Sequence, residues 1–246
     1  MSNRPNRSKS ASARVRQTAN GDKSNSTKLL WAGLAIVIVV IGVVVIGVSR
    51  SSSNSSGNGG VASPSGGTVV PNGNLTVGQI EVVGANLPAK PDTGTDPAIG
   101  MTIPQVTGQS FDGKTDVITP DGKPMVIMAV AHWCSHCQKE VPAIQNWLDT
   151  NGMPADVDLV SIATSNDAAK SNYPAGDWLR KEQWSVPTIL DNKETTGARA
   201  YGVGGFPYFV VVSPEGKVIY RTSGELTIPQ WEGVLEAART GISPTV

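Results

Sequence analysis

Cysteine and histidine are almost absent from this chain of 246 residues, which contains two of each. With one pair of cysteines, structural disulfides would leave no thiol over for chemistry, so a disulfide-stapled scaffold is not expected. Net charge is absent too, because 20 Lys and Arg balance 20 Asp and Glu. The basic stretch at the N-terminus has no aromatic residue interleaved with it, which argues against nucleic-acid binding. Internal repeats are lacking, and no A-x-A-like cleavage site follows the long apolar run. No cysteine lies near that run to carry a lipid.

The zero net charge hides a division. Residues 1–50 hold eight basic residues against one acid, Asp22, whereas residues 51–246 hold twelve against nineteen, a net of −7. Chain segments of opposite sign commonly sit in different surroundings. Between them runs "LLWAGLAIVIVVIGVVVIGV", Leu29 to Val48, with no charge. As a helix it would span about 30 Å, the thickness of a bilayer core. The expected organisation is a disordered basic segment (1–28), a single transmembrane helix (29–48), a flexible linker (49–74) and an outer domain (75–246, core about 97–246). Ser, Gly, Asn and Pro fill 19 of the 24 positions from 51 to 74. The basic residues before the span place the N-terminus in the cytoplasm by the positive-inside rule and the outer domain beyond the cell membrane.

In the outer domain, "LTVGQIEVV" (75–83) alternates as a strand would, and "TIPQVTGQSFDG" (102–113) reads as a short hairpin. The continuous apolar run at 125–131 suits a strand buried on both faces, and "VDLVSIA" (157–163) reads as a second strand of the buried kind. From Cys134 the pattern turns helical, with Val141, Ile144 and Leu148 at three- and four-residue steps. Short helices are expected in "GDWLRKEQW" and "KETTGARAY", strands in "VPTIL", "YFVVV" and "VIYRTS". The last helix should bury Ile228, Trp231, Val234, Leu235 and Ala238 and stop at Gly241. The result is an α/β sandwich around a mixed sheet.

All the cysteine and histidine lies in "HWCSHC", residues 132–137. Two kinds of chemistry fit so dense a window: a redox couple or a metal site. At the junction of a buried strand and a helix, unpaired backbone N–H groups favour a thiolate, the reactive form of cysteine. Cys134 is therefore the candidate nucleophile, and Cys137, one turn on and less exposed, the resolving thiol. Ser135 and His136 between them should tune the couple. A cationic imidazole beside the sulfur favours the dithiol and makes the disulfide more oxidising. His132 is expected as a packing residue or a second tuner, and Trp133 as a lid that shapes access. As a metal site, Cys134, Cys137, His132 and His136 match tetrahedral zinc in number, but zinc-finger spacing separates ligand pairs by about a dozen residues or more. Two-coordinate copper(I) on the dithiol is the other metal form.

"WCSHCQKEVP" resembles the WCxxCxxExP signature of the membrane-anchored, extracytoplasmic thioredoxin-like proteins of the TlpA/ResA group within the redoxin families. "PAIGMTIPQVTGQSFDG" and "AYGVGGFPYFVVVSPEGKVIY" extend the likeness over roughly residues 97–246. The resemblance implies a thioredoxin-like sandwich and a thiol–disulfide oxidoreductase. It implies no cofactor beyond a redox-active Cys134–Cys137 disulfide. Substrates would be protein thiols and disulfides outside the membrane, and a membrane redox partner would recharge the couple. Glu140 matches the group's acid, placed to shuttle the proton of Cys137. Pro142 matches the kink of the long helix. Pro207, preceded by Phe206, matches the cis-proline that faces the cysteines beside an extended substrate segment. Met128 departs from the pattern, standing where cytoplasmic thioredoxins carry a buried aspartate, so Glu140 serves alone. Phe206 is bulkier than the usual residue there, and Ser-His shares its second residue with strongly oxidising Pro-His pairs. A peroxidase would need Thr or Ser three residues before its cysteine, where this chain has Ala131.

Overall fold

The structure is a computed structural model that describes residues 75–244. The expected basic segment, transmembrane helix and linker lie outside those residues. Among the described residues no helix is long and apolar enough to cross a membrane.

In chain order the elements are β1 (Glu81–Val83), β2 (Gln105–Gln109), β3 (Thr115–Ile118), β4 (Met125–Val130), α1 (Cys137–Asn151) and β5 (Asp158–Ala163). There follow α2 (Ala175–Lys181), β6 (Thr188–Leu190), α3 (Thr196–Ala200), β7 (Tyr208–Val212), β8 (Val218–Ser223) and α4 (Ile228–Thr240). The strands form one sheet in the order β1-β2-β6-β5-β4-β7-β8, with β3 paired to β2. β4, β5 and β6 run parallel, and β2, β7 and β8 join antiparallel. The mixed sheet expected from the alternation of strands and helices is present.

The unbroken apolar run of β4 reflects its central place, since all six residues are buried. Val126, Met128 and Val130 face the layer of α1, α2 and α4, where Val141, Ile144, Leu148, Trp178, Val234 and Leu235 pack. Met125, Ile127 and Ala129 face the other layer, built from Leu87, Ile103, Val106, Ala200 and Tyr201. Each large apolar side chain buried in this way contributes about 1.5–3 kcal/mol. α4 is fixed at both ends: Thr227 and Gln230 form a capping box, and Gly241 closes it in the left-handed conformation at φ 72°.

Three expectations need correction. Of residues 75–83 only Glu81–Val83 join the sheet as a strand. Gly78 passes so close to β6 that a Cβ there would lie 2.0 Å from the Leu190 carbonyl oxygen, a crossing that ordinary strand spacing forbids. The hairpin takes its second strand from Thr115–Ile118, so "TIPQVTGQSFDG" supplies only one strand and the turn. Ile228, assigned to the buried face of the last helix, is 37% exposed, and burial in α4 begins only at Trp231, since Pro229 and Gln230 are exposed as well.

A buried ion pair ties the segment before β2 to the edge strand β8. The Arg221 guanidinium is fully enclosed and grips both oxygens of Asp96, with Nε donating to Oδ2 at 2.8 Å. Its Nη1 donates to the carbonyls of Pro88 at 2.9 Å and Tyr201 at 3.2 Å. Burial opposes ionisation of Asp96, yet Arg221 and the Ala98 N–H outweigh it and hold the carboxyl below its ordinary value. The unfolded chain therefore binds the proton first, so this stabilisation holds above the ordinary carboxylate range and fades as pH falls through the depressed value. Arg221→Lys keeps the charge but loses the fork and the carbonyl contacts. A loss of about 2 kcal/mol is expected, read as a lower urea midpoint at unchanged slope.

Candidate redox site

β4 delivers the chain to the site. Beyond Val130, the Cys134 N–H donates to the Ala131 carbonyl at 3.0 Å, and the Cys134 carbonyl accepts from Gln138 N–H at 3.0 Å. Helix α1 begins at Cys137, with His136 as its N-cap. Cys134 thus stands in the turn before the helix, rather than inside it as the apolar spacing suggested. The first turn is tight, since the amides of Lys139 and Glu140 both donate to the His136 carbonyl. Pro142 falls within α1 as expected.

The two thiols are free and differ sharply in burial: Cys134 is partly exposed and Cys137 fully buried. The Cys134 sulfur meets the Phe206 carbonyl at 3.5 Å, and the Cys137 sulfur accepts from the Ala131 N–H at 3.5 Å. Burial pushes the Cys137 thiol far above its ordinary value, against the pull of that N–H; the Cys134 sulfur and the Glu140 carboxylate add to the rise. Glu140 lies three residues on, on the same side of the helix. It is 1% exposed, and its Oε2 accepts the Leu226 N–H at 2.7 Å. Burial raises its carboxyl from 4.5 to about 7, opposed by the Leu226 N–H and reinforced by the charge of Glu225. An acid that half-ionises near neutrality, one turn from a thiol that resists ionising, has the chemistry of a proton acceptor. Met128 is buried in the same layer, leaving that part of the core apolar.

The Phe206–Pro207 bond is cis, as the resemblance implied, and Pro207 is buried. Trp133 was expected to cover the pair; it is 37% exposed instead. Its Nε1–H donates to the Ser165 carbonyl at 2.8 Å, and its ring stands edge-on to Phe206 with centroids 6.1 Å apart. The two rings make an apolar rim rather than a lid. Ser135 and His136 are exposed, and His136 Nδ1 lies 3.2 Å from Glu225 Oε2.

His132 takes the packing alternative. It is fully buried, with Nδ1 2.6 Å from the Ser171 carbonyl and Nε2 accepting the Asp167 N–H at 3.1 Å. That pattern fixes the neutral ring with its proton on Nδ1. Burial lowers its proton affinity, against the Ser171 carbonyl and the Asp167 charge. The ring holds the loop between β5 and α2 and has no free nitrogen for a metal. The alternative Cys₂His₂ set is not brought together. Among the described residues no group of three or more His, Cys, Asp and Glu side chains is arranged to hold a metal ion.

The sequence reading missed the loop from Ser223 to Thr227. Its Gly224 N–H donates to the Pro207 carbonyl at 2.9 Å, its Glu225 reaches His136 and Lys139, and its Leu226 N–H reaches Glu140. His136, Lys139 and Glu140 lie 86 to 89 residues from their partners in the loop, and the one local signal is Gly224, at φ 97°.

The family model described as Redoxin matches residues 98–235. A relative named thiol-disulfide oxidoreductase ResA, from Bacillus cereus, is 26% identical over 139 residues, covering 56% of this chain and 77% of that protein. The protein of the same name from Bacillus anthracis is 25% identical over the same length and shares. Among solved structures, a DsbF homologue from Corynebacterium diphtheriae is 18% identical and superposes with a TM-score of 0.50, covering 63% of this chain and 99% of that one. That superposition gives the fold, a thioredoxin-like sandwich.

Proposed function

The chain belongs to the Redoxin family and is a thiol–disulfide oxidoreductase of the TlpA/ResA type, and on that premise we propose that it reduces protein disulfides through Cys134 and Cys137. One observation carries this reading: an accessible thiol and a buried thiol three residues apart, with a buried near-neutral acid one turn beyond. The Cys134 thiolate attacks a substrate disulfide; a new S–S bond forms to Cys134, and the other substrate sulfur leaves as a thiolate that takes a proton. Cys137 gives its proton to Glu140 and attacks the Cys134 sulfur. The Cys134–Cys137 disulfide closes, the second substrate thiolate departs, and two electrons have passed from the dithiol to the substrate. Trp133 and Phe206 offer the apolar surface against which a substrate segment lies, beside Pro207.

The surroundings of the sulfurs support the reducing direction. His136, the residue that would make the couple oxidising, has its Nδ1 on Glu225, and Cys134 faces a carbonyl. Without a cation bonded to the sulfur, the dithiol gains no special stability. The expected reduction potential lies near the value of thioredoxin, about −270 mV, and well below the −120 mV or so of a strong periplasmic oxidant. Equilibration with dithiothreitol or glutathione measures it. A potential near the oxidant's value would reverse the direction, and failure to turn over insulin disulfides would remove the reading. The place of action completes the proposal. The apolar run 29–48 and the basic residues before it support an anchor in the cell membrane, with the redox domain outside and a membrane electron carrier restoring the dithiol.

A further inference from the structure

The loop between β8 and α4 touches both walls of the redox site, and its one exposed carboxylate makes most of the side-chain contact. Glu225 Oε2 takes two donors, His136 Nδ1 at 3.2 Å and Lys139 Nζ at 3.4 Å, both from the first turn of α1 or its cap. The next residue, Leu226, sends its N–H to Glu140 Oε2 at 2.7 Å. The preceding residue, Gly224, sends its N–H to the Pro207 carbonyl at 2.9 Å. Three successive residues therefore bridge the cis-proline segment on one side and residues 136–140 on the other. The His136 hydrogen bond first, and then that of Lys139, hold the Glu225 carboxyl below its ordinary value against desolvation, so this carboxylate is ionised at neutral pH.

We propose that Glu225 is a positioning residue of the thiol–disulfide exchange, holding the loop against α1 so that the Leu226 N–H stays on Glu140 and His136 stays off the Cys134 sulfur. The inference rests on the role given to Glu140. Three groups face the Glu140 carboxylate: the Leu226 N–H, the Glu225 charge and the Cys137 thiol. Glu225 acts on Glu140 by two opposed routes. Its charge favours the protonated acid, and its anchoring of Leu226 favours the carboxylate.

The opposed routes can be separated by two substitutions. Glu225→Gln retains an oxygen for His136 and Lys139 and removes the charge, whereas Glu225→Ala removes both. In E225A the Leu226 amide exchanges with solvent about tenfold faster, and kcat for insulin reduction falls about tenfold with KM little changed, because Glu140 is no longer held in register. E225Q recovers most of both losses. The pH midpoint of the resolving step lies higher in E225A than in E225Q, since only the alanine variant gives up the N–H on Glu140. A role confined to stability would lower the melting temperature without moving that midpoint. Wild-type Leu226 protection and kcat in E225A would overturn the proposal. Should the wild-type protein fail to reduce insulin, the amide exchange still decides whether Glu225 holds the loop, so the two failures remain distinct.

Discussion

Replacing Cys134 by serine reduces insulin reduction to the uncatalysed background, while replacing Cys137 by serine leaves the first attack intact and traps substrate on Cys134. Both outcomes follow from the burial of the two sulfurs. A substrate disulfide must reach the attacking sulfur along the axis of the bond it breaks, and Cys134 alone is open to solvent. Cys137 has no exposed surface, and its sulfur is occupied by the Ala131 N–H. It can attack a sulfur only one turn away, which is where a mixed disulfide on Cys134 places it. Serine at 137 removes the resolving nucleophile, and the adduct persists until an outside thiol arrives. The check is non-reducing electrophoresis of C137S after exposure to a disulfide substrate, followed by mass spectrometry of the shifted band. Normal turnover by C134S, or an adduct on Cys137 in that variant, would reverse the assignment.

Glu140→Gln is expected to slow resolution about a hundredfold and to stabilise the fold above neutral pH. The kinetic part arises because the Cys137 thiol, pushed up by burial, needs a base to ionise as it attacks, and Glu140 is the buried base beside it. In the wild type the resolving rate rises with pH through about 7 as Glu140 loses its proton; in E140Q that inflection disappears. The stability part has the opposite sign. From pH 4.5 to about 7 the folded chain keeps the Glu140 proton and the unfolded chain has released it. Stability therefore falls as pH rises across that window and levels off above it. Glutamine still accepts from the Leu226 N–H and carries no charge to desolvate, so E140Q should gain on the order of 2 kcal/mol at pH 8, allowing for solvent near the site. A variant that is slower yet more stable distinguishes a functional acid from a packing residue. Equal resolving rates at pH 8 would remove Glu140 from the mechanism.

How far the sequence reached depended on how local each signal was. The run Met125–Val130 announced a strand covered on both faces because its alternate residues fill two different layers. Val141, Ile144 and Leu148 announced α1 because one face of a helix repeats at that step. The shielding of Cys137 was legible from its place one turn beyond Cys134, whereas Glu140 entered only through the resemblance, and its burial beside Cys137 and Val141 is a finding of the structure. Pro207 was legible through its resemblance to known segments. His132 was undecided because its fate depends on the loop 164–174, whose carbonyl at Ser171 and amide at Asp167 arrive from 39 and 35 residues away. The start of α1 was placed three residues early because Cys134 begins the turn without joining the helix. Glu225 was invisible for a plainer reason. An exposed glutamate after a glycine has no periodic pattern around it, and only the packing of β8 beside β7 brings it to α1.

Exchange by this route needs one accessible thiol and one shielded thiol in the same reduced site. A short pulse of iodoacetamide on the reduced wild-type protein, followed by peptide mass spectrometry, reads that asymmetry directly. The predicted result is a single adduct on Cys134 with Cys137 unmodified until the protein is unfolded. Labelling of Cys137 at the same rate, or no labelling of the folded protein at either residue, would contradict it.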